Sequence, residues 1–330
     1  MRSTRSRLVI AALALGLLAV PLALTAQEAG KVWRIGVLVG FTPSYGAPLV
    51  EAFRQGLRER GRVEGQNITI DYRWAHGKVD AMPGLAAELV RLKVDVIVAG
   101  GTAVALAARD ATKTIPIVFT GVADPVRARL VSNLARPDGN ITGFAAQNVD
   151  LDGKRLELLK DLLPHLSRVG MLANSANPIL DVSLQKLRPA AEQLGVAVDV
   201  VDIQSGAGIE GALLQLERTR PDGVLVAPDL LLLARRGEIA AALGKSKLPA
   251  VYPFREYTDV GGLIIHGANL SILFERAAGY VDRILKGAKP ADLPVQLATE
   301  FELIINLKTA SMIGLTIPPT LIARADEVIE

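Results

Sequence analysis

Short apolar runs alternate with longer stretches in which apolar residues recur every three or four positions, beginning at residue 33. Apolar runs of four to eight residues are typical of buried strands, and the wider spacing is typical of helices. In the first half of the chain, strands are predicted at residues 33–39, 68–72, 94–98 and 115–119, with helices at 48–60, 85–92 and 103–111 and another after Asp124-Pro125. This alternation predicts a parallel sheet with helices on both faces.

The same alternation starts again after Gly143. Strands are predicted at residues 169–172, 196–201, 223–226 and 249–252, with helices at 151–163, 178–194, around 213–216 and at 230–243. No proline-rich or serine-rich linker separates the two series, so short crossovers are predicted near Gly143-Phe144 and Gly261-Gly262. The predicted fold is therefore α/β, with two doubly wound parallel-sheet lobes joined by a hinge.

Residues 1–26 have the layout of a signal peptide. Three arginines precede an apolar run at residues 8–20, and Pro21 and small residues follow before the polar Gln27. A membrane anchor is the alternative, because residues 8–26 are nearly long enough to span a bilayer. Pro21 and the polar exit favour cleavage, so we expect an exported, periplasmic protein. Since the chain has no cysteine, we expect no lipid anchor.

The charge balance gives no reason to expect a nucleic-acid partner. The 330 residues include 37 lysines and arginines against 34 acidic residues, and the predicted signal peptide carries three arginines and no acid. Without that segment the two signs balance, so the mature chain has no general basic field of the kind that binds nucleic acid.

The chemistry-bearing motifs of common enzymes are missing. The chain has no cysteine, and its three histidines are too far apart in sequence to suggest a metal site. It has no Gly-x-Gly-x-x-Gly, no phosphate-binding loop and no Gly-x-Ser-x-Gly elbow. We therefore expect no cofactor, no metal, no catalytic residues and no enzyme activity.

Polar and aromatic residues follow the predicted strands, where the loops of both lobes would converge on one cleft. Thr102, Asp124 and Asn177 could equally be helix N-caps, and Phe41 and Tyr45 could simply cover the end of the core. If Asp124 faces the cleft, its carboxylate would suit a ligand ammonium or hydroxyl group. The candidate ligand-binding residues are Phe41, Thr42, Tyr45, Gly101, Thr102, Thr120, Asp124, Asn174, Asn177, Asp229, Tyr252 and Glu256.

Ordered sequence stretches along the whole mature chain also carry a family resemblance. They are residues 52–57 (AFRQGL), 63–67 (VEGQN), 111–118 (ATKTIPIV), 124–126 (DPV), 134–137 (LARP), 154–159 (KRLELL), 261–263 (GGL), 284–288 (ILKGA) and 301–307 (FELIINL). In these stretches the chain resembles the solute-binding proteins of bacterial ABC transporters in the tryptophan/tyrosine-uptake-like family, which have the type I periplasmic-binding fold.

The resemblance implies a receptor without catalytic residues that closes on a small polar solute, such as an amino acid or aromatic compound, and delivers it to a membrane permease and its ATPase. It also implies discontinuous lobes, residues 32–143 plus 263–290 and residues 144–262 plus 291–330, with the ligand cleft between them. A sensory ligand-binding subunit for a membrane receptor is the alternative. A lactose-repressor-type regulator would need a DNA-binding helix-turn-helix where this chain has its predicted export signal.

Overall fold

The computed structural model describes residues 31–177, 179–203 and 208–330, with the backbone alone for Glu217 and Leu230. The predicted signal peptide lies outside the described residues. Within the described ranges, no helix combines the length and apolar character needed to cross a membrane.

Thirteen strands and eleven α-helices alternate along the described chain. The strands are β1 (Trp33–Val39), β2 (Ile68–Trp74), β3 (Val96–Gly100), β4 (Ile117–Val122), β5 (Ile141–Ala145), β6 (Arg168–Ala173), β7 (Ala197–Asp202), β8 (Gly223–Val226), β9 (Ala250–Tyr252), β10 (Ile264–Ala268), β11 (Gln296–Leu297), β12 (Phe301–Asn306) and β13 (Glu327–Ile329). The helices are α1 (Pro43–Arg58), α2 (Met82–Arg91), α3 (Thr102–Ala111), α4 (Asp152–Leu162), α5 (Leu180–Leu194), α6 (Gly208–Thr219), α7 (Leu230–Ala234), α8 (Arg236–Lys245), α9 (Leu270–Leu285), α10 (Leu307–Ile313) and α11 (Pro319–Ile322). Short 3₁₀ helices span Val79–Ala81, Asn148–Leu151, Arg255–Val260 and Pro290–Asp292.

The first lobe is built on six parallel strands in the order β11-β5-β4-β3-β1-β2. Strands β3 and β5 are buried along their whole length, as expected where helices cover both faces of a parallel sheet. Helices α1 and α9 pack together on one face. A Cβ atom at Gly56 would lie 2.6 Å from the carbonyl oxygen of Glu275, so their close approach requires glycine at this position.

The second lobe is built on seven strands in the order β13-β12-β10-β9-β8-β6-β7. Strands β10 and β12 run antiparallel, and the other neighbouring pairs run parallel. Both sheets are therefore mainly parallel and alternate with helices. This confirms the predicted α/β fold with two parallel-sheet lobes.

The described chain crosses between the lobes three times, and the crossovers differ from the predicted ones. They follow β5, pass through Asn269 between β10 and α9, and occupy residues 298–300 between β11 and β12. The expected boundaries placed residues 263–290 in the first lobe, but β10 pairs with β9 and β12 of the second sheet. Strand β11, expected in the second lobe, pairs with β5 of the first. Backbone pairing, which the apolar pattern does not reveal, sets these boundaries.

Four local predictions need correction. Turns rather than a helix follow Asp124, because its Oδ1 accepts hydrogen bonds from the backbone N–H groups of Val126 and Arg127 and closes a turn that does not propagate. Helix α1 begins at Pro43, five residues earlier than predicted, so Tyr45 lies in its first turn. The helix predicted at residues 230–243 divides at Arg235 into α7 and α8. The pattern also missed β5, which pairs with β4.

A buried arginine ties two of the crossovers together. Arg155 on α4 is fully buried, and its Nη1 donates to the carbonyl oxygen of Asn148 at 2.8 Å and to Asp152 Oδ1 at 2.6 Å. Its Nε donates to the carbonyl oxygen of His266 at 2.8 Å. Asn148 lies just after the first crossover and His266 just before the second, so one guanidinium fixes both. Asp152 also accepts a hydrogen bond from the Ser183 hydroxyl.

Replacing Arg155 with leucine removes this connection and leaves the Asp152 carboxylate buried without its cationic partner. We expect the free energy of unfolding to fall by about 3–5 kcal/mol, measured by urea denaturation followed by circular dichroism. Lys154→Leu is the matched control, because its pair with Glu157 is exposed and should be worth at most about 1 kcal/mol. Equal losses in the two variants would show that Arg155 does not hold the crossovers.

Candidate ligand cleft

A cleft of about 460 Å³ lies between the lobes and is lined by residues of both. Its polar side chains come mainly from the carboxyl ends of the strands, as expected for parallel α/β sheets. Its apolar walls include Phe41, Leu106, Phe254, Leu270 and Phe274. The cleft therefore combines a mostly apolar volume with a few polar groups, which is typical of sites for small organic ligands.

The structure brings seven of the twelve predicted site residues to this cleft. Those that line it are Phe41, Gly101, Thr102, Thr120, Asn174, Asn177 and Asp229. The other five lie outside its lining and are Thr42, Tyr45, Asp124, Tyr252 and Glu256. Thr42 is the N-cap residue of α1, without a side-chain capping bond, and Asp124 closes the turn described above.

The wall contributed by the first lobe is a helix N-terminus beside a buried hydroxyl. Gly101 is the N-cap of α3 and has φ 96°, a conformation that favours glycine. Thr102 is the first residue of α3 rather than its cap, and its Oγ1 accepts a hydrogen bond from the Ala123 N–H at 3.2 Å. Thr120 is fully buried, and its Oγ1 has no hydrogen-bond partner within the described part of the chain. Burying a hydroxyl without a hydrogen-bond partner costs free energy, and a ligand in the cleft could supply the missing partner of Thr120.

The wall contributed by the second lobe is organised by Asp229. Its Oδ1 accepts hydrogen bonds from the backbone N–H groups of Leu231 at 2.6 Å and Leu232 at 3.1 Å, capping α7. Its Oδ2 accepts hydrogen bonds from Asn174 Nδ2 at 3.2 Å and Asn177 Nδ2 at 2.7 Å. Asp229 is thus both a cap and the group that orients the two asparagine amides towards the cleft.

Asn148, which was not among the predicted site residues, joins the cleft to the hinge. The residue is 3% exposed and lines the cleft, and its Oδ1 accepts a hydrogen bond from the Ala268 N–H at 3.1 Å. The side chain therefore bridges the first and second crossovers on the cleft side. A ligand that touches Asn148 would touch the hinge directly.

The ionisable groups among the described residues that line the cleft are the carboxylates of Asp80 and Asp229. The lining of the cleft thus carries a net negative charge, which favours a cationic group on the ligand. In the ranges that the structure covers, no cluster of three or more histidine, aspartate or glutamate side chains is arranged to hold a metal ion.

Comparison with known proteins decides the family. The family described as "ABC transporter substrate binding protein" matches residues 43–329. The chain belongs to this family. The match confirms the resemblance predicted from the ordered sequence stretches, and the family consists of solute-binding proteins rather than enzymes.

A tyrosine-binding protein from Clostridioides difficile is 29% identical to this substrate binding protein over 259 residues, covering 78% of this chain and 74% of the relative. A Streptococcus pneumoniae ABC domain in complex with L-Trp is 27% identical and superimposes with a TM-score of 0.84, covering 91% of this chain and all of that one. The ligand-free, open structure of a Clostridium difficile substrate binding protein is 26% identical, with a TM-score of 0.68 over 91% of this chain and 99% of that one. At similar identity and coverage, the chain as a whole superimposes better on the L-Trp complex than on the open structure.

Replacing Asp229 with alanine should remove the cap of α7 and release both asparagine amides. We expect the substrate binding protein to lose about 1–2 kcal/mol of unfolding free energy, measured by urea denaturation. Asp229→Asn keeps an acceptor oxygen for the cap and should lose less. Asp124→Ala is the control, because its bonds lie in an exposed turn, and its loss should stay below about 1 kcal/mol. A loss for Asp124→Ala as large as that for Asp229→Ala would contradict this assignment.

Proposed function

We propose that this substrate binding protein captures an amino acid with a large apolar or aromatic side chain by lobe closure and delivers it to the membrane permease of an ABC importer, which an ATPase powers. The observation that carries the choice of solute is that the unpartnered Thr120 hydroxyl lies beside the N-terminus of α3 in a mostly apolar cleft. The named ligands of the relatives, tyrosine and L-Trp, belong to the same chemical class.

The carboxylate of the solute would bind against the first lobe. The N-terminal turn of α3 presents backbone N–H groups that have no partner within the helix, and its dipole favours an anion. The Thr120 hydroxyl lies at the same wall and can donate a hydrogen bond to a carboxylate oxygen. Together these groups bind a carboxylate without a lysine or arginine.

The ammonium group and the side chain of the solute would take the other walls. The Asp229 carboxylate supplies negative charge opposite α3, and the oriented asparagines supply acceptor and donor groups beside it. Phe41, Phe254 and Phe274 offer ring faces and edges to an aromatic side chain, which favours offset or edge-to-face packing. This arrangement orients an amino acid across the cleft, from one lobe to the other.

Closure is supported by contacts that join the lobes outside the cleft. Arg127 Nη1 of the first lobe donates to Gln185 Oε1 of the second at 2.9 Å. Ala123 of the first lobe packs against a small apolar cluster of the second, formed by Val149, Ile179 and Val182. These contacts, and the likeness to the L-Trp complex, fit a closed state that the lobes reach by turning about the three crossovers. Delivery to a permease fits an exported protein whose signal peptide, residues 1–26, is cleaved and which has no lipid anchor.

Isothermal titration calorimetry of mature protein with L-Trp, L-Tyr and L-Phe should show saturable binding, whereas L-Lys, L-Glu and glucose should bind weakly. Thr120→Val keeps the shape of the side chain but removes its hydroxyl, and we expect it to weaken aromatic amino acid binding about 10- to 100-fold. Thr219→Val on α6, at a residue outside the cleft lining, should bind like the wild type. If none of the three aromatic amino acids binds, the proposed solute is refuted. If Thr120→Val binds them with unchanged affinity, the proposed carboxylate site is refuted.

A further inference from the structure

Three predicted site residues that lie outside the cleft lining, Tyr45, Tyr252 and Glu256, are found together where the lobes meet. Tyr45 belongs to α1 of the first lobe, and Glu256 belongs to a 3₁₀ helix of the second. We call the set of Tyr45, Arg236, Glu256 and Tyr257 the interlobe cluster. Its members belong to α1, α8 and the 3₁₀ helix that follows β9.

Ring contacts hold the interlobe cluster in place. The Tyr45 ring meets Phe41 edge-on, with centroids 4.3 Å apart, and Arg236 Cζ lies 5.2 Å from the Tyr45 ring centroid. Tyr257 stacks on Tyr252 with centroids 4.3 Å apart. Because Phe41 also lines the cleft, the cluster lies directly behind one wall of the solute site.

Four polar atoms of the interlobe cluster are sealed from solvent and lack hydrogen-bond partners among the described residues. In the described part of the chain, Tyr45 Oη, Arg236 Nε, Glu256 Oε2 and Tyr257 Oη are buried without a hydrogen bond. Glu256 is only partly buried as a whole residue, yet its Oε2 is sealed. Arg236 lies over the Tyr45 ring, and its charge attracts the Glu256 carboxylate without a direct ion pair between the two among the described residues. One carboxylate oxygen of Glu256 and the hydroxyl of Tyr45, which come from different lobes, are thus held out of water without well-formed hydrogen bonds when the lobes are together, and this opposes closure.

We propose that the interlobe cluster is a proton-sensitive brake on lobe closure, which opposes closing while Glu256 is ionised and yields when Glu256 takes up a proton. This inference rests on the closure motion of the proposed function. It does not depend on the identity of the solute.

The surroundings of Glu256 give the direction of the pH effect. Burial raises the pKa of its carboxyl group, and the nearby Asp259 carboxylate adds to the rise, whereas its own backbone N–H, the Tyr45 hydroxyl of α1 and the Arg236 charge of α8 favour the ionised form and oppose the rise. The strands β10 and β12 also pack against this 3₁₀ helix. Their ionisable groups are engaged elsewhere, because Glu302 pairs with Arg255 and His266 Nδ1 lies 3.1 Å from the Glu302 carbonyl oxygen.

Opening the lobes returns Glu256 to water and to its ordinary pKa. The closed form therefore binds the proton more tightly than the open form, and by linkage acid favours closure. The stabilisation of the closed form by this proton is complete below the ordinary pKa of glutamic acid. It is lost as the pH rises through the raised pKa of the closed form. Solute binding, which favours the closed form, must then take up a proton within that window.

The test is calorimetric titration with L-Trp at several pH values from about 8 to about 5, each in two buffers of different ionisation enthalpy. The affinity of wild type should increase as the pH falls, by at most about tenfold per pH unit, with uptake of a proton on binding. Glu256→Gln should bind more tightly than wild type at about pH 8, show no such pH dependence and take up no proton. Glu210→Gln, an exposed carboxylate on α6, is the matched control and should behave as wild type.

Small-angle scattering without solute tests the same inference independently of solute identity. Ligand-free wild type should become more compact between about pH 8 and about pH 5, and Glu256→Gln should already be compact at the higher value. Tyr45→Phe removes one unpartnered hydroxyl and should also shift ligand-free protein towards the compact form. Thermal unfolding confirms that each variant is folded. If Glu256→Gln has the same affinity, pH dependence and scattering as wild type, the proposed brake is overturned. If wild type fails to bind L-Trp but its scattering changes with pH as expected, only the proposed solute is contradicted.

Discussion

The hydrogen bonds of one buried guanidinium join two of the crossovers where they meet the second lobe. Arg155 holds the carbonyl oxygens of Asn148 and His266, which belong to separate crossovers, and Asp152 balances its charge. Removing a charged pair from water is costly, and burial raises the pKa of Asp152 even against the pull of Arg155. The compensation is geometric, because both crossovers must meet the same rigid, planar group. The carboxyl ends of the two sheets face one another across a shared cleft.

Given that arrangement, the backbone supplies most of the chemistry of the cleft. The N-terminus of α3 offers an anion site without any positively charged side chain, and Gly101 permits the turn that exposes it. On the opposite wall, Asp229 serves the backbone of α7 and the amides of Asn174 and Asn177 with the same carboxylate. Capping and ligand recognition are therefore not competing explanations for these residues, since a cap that faces the cleft also positions what the ligand meets.

The local sequence pattern was sufficient to predict two parallel-sheet lobes and the polar residues at the ends of their strands, because a strand and the turn after it are close in sequence. Gly101, Thr120 and Asp229 were predicted from that proximity, and all three line the cleft. Phe274 and Asn148 reach the cleft only through crossovers, whose positions depend on which strands pair. The pairing of β10 with β12 and of β11 with β5 is a long-range choice between similar short apolar runs. For the same reason, the pattern could name Tyr45 and Glu256 as polar residues near the cleft but could not show that they meet each other.

The interlobe cluster and the cleft exert opposite effects on one motion. Closing on an aromatic solute buries apolar surface at Phe41 and Phe254, which favours the closed form. The same motion buries the unpartnered atoms of Tyr45 and Glu256, which favours the open form. A receptor in which closure were favourable without solute would present a closed form to its permease whether loaded or empty. Placing a polar cost behind the aromatic wall makes closure depend on the solute while Glu256 is ionised, since the contacts of a bound molecule then offset that cost.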